Sequence, residues 1–341
     1  MSVQILINQM TVLFLLLAIG FIVGKTKILT PEGNKILSKL VLFITLPCTI
    51  LSSVFENEMD ITAFDTFYFL LMAALTFIIA FAIALPVARF VGGDKANRGM
   101  LGFMSVFSNA GFMGFPVVIS IFGVFAAYYV ALFNILFNAL IFSVGIMMIS
   151  GKVPGSAADT VDASNPSAAP GAGPRTGPGS PENPTNARLR GFNPKLLINP
   201  TLITSVLAIP ITLTGISFPA IITEAAKITG SITTPGAMLV IGSTLAYVPL
   251  KSIFSEWRIA PVMLARLIVI PFITWLILSQ IITNEYLLGI LVIISAMPIA
   301  TMSSMLAVEY GGNEKLASAG VFVTTLLCGI TVPLIVHLLL T

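Results

Sequence analysis

Ten stretches of about twenty mostly apolar residues, strung along a chain of 341, leave few folds open to this sequence. They fall near 4–24, 36–55, 66–90, 98–121, 125–149, 196–216, 220–246, 259–281, 286–308 and 317–340. A helix of that length crosses the hydrocarbon of a bilayer, whereas a membrane barrel would show short segments of alternating polarity. Charged residues make up only 9% of the chain. A soluble domain carries about 25%, so this one could not cover an aqueous surface. The expected class is an all-α membrane protein of ten transmembrane helices. With no basic residues ahead of the first stretch, that stretch reads as a retained span and not a cleaved signal. The net charge of +3 arises from residues placed between apolar runs, which excludes a nucleic-acid surface. Cys48 and Cys328 lie inside apolar runs and read as small buried hydrophobes, with no disulfide, metal site or other cofactor implied.

Composition divides the chain in two. Residues 151–191 hold seven prolines, seven glycines and almost no large apolar side chain, so they read as a disordered cytoplasmic linker. Residues 1–150 and 192–341 then form two units of five spans each. Positive charge is biased to one side: Lys25, Lys27, Lys35, Lys39, Arg89, Lys95, Arg98, five basic residues of the linker region, Lys251, Arg258 and Lys315 all fall in loops after odd-numbered spans. By the positive-inside rule both termini are outside, in a multi-pass protein of the plasma membrane.

The two units also align with each other. At a shift of 188 residues, Thr26, Ile28 and Pro31 meet Thr214, Ile216 and Pro219, and Lys39 meets Lys227. Ile44, Thr45, Pro47 and Leu51 meet Ile232, Thr233, Pro235 and Leu239, and Gly123 meets Gly311. An odd number of spans per unit means that the second is inserted upside down relative to the first. Inverted repeats of this kind are an architecture of secondary carriers, with the site near the bilayer midplane where the repeats meet.

Spans 4 and 9, which occupy matching positions, are both interrupted. Span 4 contains residues 109–116 (NAGFMGFP), in which Gly111, Gly114 and Pro116 disfavour a continuous helix. Span 9 contains Pro298, followed by Thr301, Ser303 and Ser304. Half-helices that begin mid-membrane direct unpaired N–H groups and partial positive charge at one point, which suits an anion. Asn109 can offer that anion a donor or cap the broken helix. Asn134 and Asn138 share a face of span 5 and suit either ligand contact or interhelical bonding. Arg266, inside span 8, suits either a substrate carboxylate or snorkelling to the cytoplasmic surface. The candidate binding set is thus Asn109, Gly111, Gly114, Pro116, Asn134, Asn138, Arg266, Pro298, Thr301, Ser303 and Ser304. None of the 14 acidic residues falls in the middle of a span, which disfavours cation or proton exchange. No nucleophile elbow, phosphate loop or metal-ligand spacing marks an enzyme.

The crossover at 109–116, Leu46-Pro47 in span 2, Asn199-Pro200 opening span 6, and Ala296-Met297-Pro298 followed by residues 307–311 (AVEYG) resemble the auxin efflux carrier family. That family includes plant exporters of auxin and prokaryotic carriers of malate, malonate or related acids. The resemblance runs from about residue 5 to 335, the linker excluded. It implies a fold like that of sodium/proton antiporters, with spans 1, 2, 6 and 7 as a scaffold. Spans 3–5 and 8–10 would form a transport domain with spans 4 and 9 crossed. An elevator-type movement and a homodimer built through the scaffold are further implications. Asn109, Pro116 and Pro298 match the family's crossover residues. Plant members carry an acid early in span 3, where residues 67–82 here offer none and Asp65 is the nearest. The expected function is carriage of a small organic anion. A metabolite sensor built on the same fold and a sodium-coupled symporter are the alternatives.

Overall fold

The computed structural model describes residues 3–55, 61–151, 200–216, 218–248 and 256–340. Apart from Gly151, the expected linker lies outside them, as do Lys251 and the acidic residues at 56, 58 and 60. The described chain forms helices α1 (Val3–Lys25), α2 (Pro31–Phe55), α3 (Ala63–Val91), α4 (Lys95–Val106), α5 (Ala110–Phe122) and α6 (Ala126–Ser150). After the linker come α7 (Pro200–Thr214), α8 (Ala220–Ala246), α9 (Ile259–Leu278), α10 (Glu285–Ser295), α11 (Met302–Tyr310) and α12 (Glu314–Leu339). By length and composition seven of them could cross a membrane: α1, α2, α3, α6, α8, α9 and α12. The shorter apolar helices α5, α7 and α10 accompany them. Among the described residues every regular element is helical, as the length of the apolar windows required.

Local chemistry sets the helix starts. Thr62, Asp94, Asn284 and Asn313 each accept a hydrogen bond from a first-turn N–H of the apolar run that follows. Asp65 completes a capping box with Thr62, so the acid nearest to the family's span-3 position spends its carboxylate on starting α3. Outward faces bear Leu15, Phe67, Ile78, Phe90 and Ile330, all more than half exposed, a surface that only lipid would solvate well.

Close contacts at α1, α2 and α8 join the halves of the chain. Helix α1 lies along the second part of α8 with their backbones nearly touching. A Cβ added to Gly242 would sit 2.1 Å from the Leu17 carbonyl oxygen, and one added to Gly20 would sit 2.7 Å from that of Leu239. Small residues permit this approach, as they do in membrane bundles generally. Beside it α2 meets α8 through hydroxyls. Thr49 donates to the Gly230 carbonyl at 2.9 Å and shares a 2.7 Å bond with Thr233, while Thr233 donates to Thr45 at 2.9 Å. Thr45 and Thr233 stand 188 residues apart. The same interval separates two pairs of left-handed backbone positions: Lys27 (φ 60) and Gly215 (φ 61), and Gly123 (φ 88) and Gly311 (φ 77).

Among the described residues, four helices each contain one widened, i→i+5 turn: Val41–Thr45 in α2, Ala110–Gly114 at the start of α5, Ile141–Gly145 in α6 and Ala265–Val269 in α9. Such turns often mark functional positions, and those in α5 and α9 flank a place where two helices break against each other.

Candidate functional site

Helix α4 stops at Val106, and the chain runs extended through Phe107 before α5 begins at Ala110. The break therefore precedes the glycines and the proline. Gly111 and Gly114 lie inside the wide first turn of α5, and Pro116 follows in its next turn, where a widened ladder tolerates the missing N–H. Span 9 is interrupted between Ser295, the last residue of α10, and Met302, the first of α11.

The two breaks cross and pair. Ser108 and Ile299 form an isolated antiparallel bridge. The Asn109 N–H donates to the Pro298 carbonyl at 2.8 Å, and the Ala300 N–H donates to the Phe107 carbonyl at 3.0 Å. The Ile299 N–H is satisfied by the Thr324 hydroxyl of α12 at 3.2 Å. Irregular backbone thus finds its partners inside the protein, the condition for its survival at membrane depth. Thr324 escaped the sequence reading because a threonine among apolar residues, with Thr325 beside it, looks like filler.

Arg266 occupies the other side of the crossing. It projects from the wide turn of α9 and is only 2% exposed, so it does not snorkel. Its Nε donates to the Met297 carbonyl at 3.0 Å and its Nη2 to that of Ser295 at 2.7 Å. Nη1 donates to the carbonyls of Ser105 (3.2 Å) and Val106 (3.1 Å). Four of its five N–H groups are therefore spent on the C-terminal ends of α4 and α10. Each such end carries about half a negative charge, so the two together match one guanidinium. Among the described residues Arg266 is the one charged side chain that is buried.

The opposite ends of the crossing, the starts of α5 and α11, carry the complementary partial positive charge. At α5, Asn109 is 4% exposed, and its Oδ1 accepts from the Phe112 N–H at 3.3 Å. Its Nδ2 is buried and has no acceptor among the described residues. Gly111 leaves room beside it: a Cβ there would meet only the Oδ1 of Asn134, 4.0 Å away. Asn134 and Asn138 each return their amide N–H to their own helix, to the carbonyls of Val130 and Asn134, which leaves the Oδ1 of Asn134 facing the gap. At α11, Thr301 is half-buried, Ser303 donates to the Ala300 carbonyl at 2.6 Å, and Ser304 accepts from Ser318 at 3.1 Å. The structure thus gathers Asn109, Gly111, Asn134, Pro298 and Arg266 around one crossing. It sets Asn138 a turn away, Ser303 in a bond within its own turn, and Ser304 in a bond with Ser318 of α12.

These features define a multi-pass helical membrane protein whose interior is organised around two crossed, interrupted helices. A family model described as "Membrane transport protein" matches residues 5–336, and the chain belongs to that family. It is thus a membrane transporter. A protein named "Putative malonate transporter" from Rhizobium meliloti (strain 1021) is 24% identical over 331 residues, spanning 96% of this chain and 93% of its own length.

Proposed function

We propose that this transporter is a secondary carrier for a small organic anion, a dicarboxylate of malonate size being the best fit. The observation that carries the reading is the asymmetry of charge at the crossing. Arg266 neutralises the negative ends of α4 and α10, while the positive ends of α5 and α11 meet no buried carboxylate among the described residues. The site is therefore left net positive at a place where the Nδ2 of Asn109 awaits an acceptor. The malonate in the name of the Rhizobium relative is an anion of the same class.

In this reading ten spans form two inverted repeats, spans 4 and 9 being α4 with α5 and α10 with α11. The equal spacing of Thr45 from Thr233, of Lys27 from Gly215 and of Gly123 from Gly311 supports that arrangement. Helices α1, α2, α7 and α8 act as a scaffold, through which two copies associate. The remaining helices carry the site past them in an elevator-type movement, with both termini outside the plasma membrane. Flux of labelled malonate, malate and indole acetate into proteoliposomes, with and without sodium or proton gradients, tests the proposal. Saturable uptake of one of these acids, lost in Asn109→Ala, is expected. Binding without flux would make the protein a sensor, and strict sodium dependence would make it a symporter.

A further inference from the structure

The four carbonyls that converge on Arg266 form an arrangement with its own chemistry. Ends of interrupted helices, with their unpaired carbonyl oxygens, are what carriers commonly use to hold a coupling cation. Here the oxygens of Ser105, Val106, Ser295 and Met297 lie 2.7–3.2 Å from three nitrogens of one side chain. We infer that this carbonyl cage is a monovalent-cation site permanently filled by the guanidinium of Arg266, so that the protein carries its cation as a tethered group and needs no free one there.

Three features support this. The residues contributing oxygens come from both broken spans, so the occupant holds the crossing together as an ion would. The occupant is tethered to α9 and only 2% exposed, so it is held at the cage and not exchanged as a free ion would be. The oxygens are also distributed over three nitrogens of a planar fork. A bare sodium ion would have to draw them inward, whereas free guanidinium would reproduce the native spacing.

The inference rests on the transport reading only for its corollary, that flux proceeds without sodium at this point. Its main test is the melting temperature of the full-length protein in detergent, which stands even if no anion is ever carried. Chloride salts of sodium, choline and guanidinium are compared at equal low-millimolar concentration. The wild type is expected to melt at the same temperature in sodium and in choline. Arg266→Ala should melt several degrees lower, recover at least half the loss in guanidinium, and recover nothing in choline. Should Arg266→Ala fail to fold, Arg266→Lys and Arg266→Met decide between charge and bulk, with the lysine variant expected to be the more stable. The inference is overturned by a wild type that sodium stabilises over choline, by an alanine variant that equals wild type or ignores guanidinium, or by a methionine variant at least as stable as the lysine one.

Discussion

Asn109→Asp reverses the character of the proposed site while leaving its shape. The side chain keeps an oxygen for the Phe112 N–H, now 3.3 Å from Oδ1, and Asp and Asn are nearly equal as helix N-caps. A carboxylate at the start of α5 also gains about 0.3–1 kcal/mol from the helix dipole, which offsets part of the cost of placing a charge at a residue only 4% exposed. The donor at Nδ2, which has no acceptor among the described residues, becomes a second negative oxygen. An anion within hydrogen-bond reach of that atom would put like charges about 4 Å apart, a repulsion of about 4 kcal/mol at an effective dielectric of about 20. The lost charge-assisted bond adds about 1.5–3 kcal/mol. Discounting for residual water, a net loss of about 3 kcal/mol weakens binding on the order of a hundredfold. Titrating malonate against the melting temperature of purified protein measures this, because a ligand of the folded state raises that temperature with its concentration. The account expects an unliganded melting point within a few degrees of wild type and a malonate response displaced by two orders of magnitude. A variant that binds malonate within about threefold of wild type would remove Asn109 and the α5 terminus from the site.

Three other perturbations probe the frame. Gly242→Ala places a Cβ 2.1 Å from the Leu17 carbonyl oxygen, forcing α1 and α8 apart; the expected loss is about 1–3 kcal/mol, seen as a lower thermal midpoint. If that midpoint is unchanged, the two helices are not in backbone contact. Thr233→Val breaks the bonds to Thr45 and Thr49 and should cost about 1–2 kcal/mol, with Thr45→Val partly redundant in a double-mutant cycle. Full additivity would separate the two hydroxyls. Gly215→Ala, at φ 61, should destabilise by about 1 kcal/mol, while Lys27→Gly at the matching φ of 60 should be neutral or stabilising. Effects of the opposite sign in thermal melts would refute those left-handed turns.

Much of this architecture is legible in the sequence because lipid imposes a coarse code. Runs such as 66–90 and 317–340 must be helices, and they are, as α3 and α12. The breaks were legible as well, since Pro298 and the glycines after Asn109 are poor residues for a regular helix. Their position was read less well: α4 ends at Val106, ahead of Gly111 and Gly114, because the Asn109 cap and the bridge to Ile299 reward stopping there. The role of Arg266 could not be read at all. Its partners are backbone carbonyls 29–161 residues away, and carbonyls are common to every residue, so no composition or spacing announces them. A charge inside an apolar run signalled importance but not which pole of which helix it would meet. Ser303 and Ser304 drew attention as polar groups near a break, yet Ser303 bonds within its own turn and Ser304 accepts from Ser318 of α12, choices that depend on side-chain rotamers.

A density map of the purified protein soaked with malonate examines the charge asymmetry of the crossing most directly. The account expects a dicarboxylate within hydrogen-bond distance of the Asn109 Nδ2, beside Gly111 and facing the Asn134 Oδ1, with Arg266 still bound to its four carbonyls. Malonate seated instead against the Arg266 guanidinium, or found only away from the crossing, would contradict it.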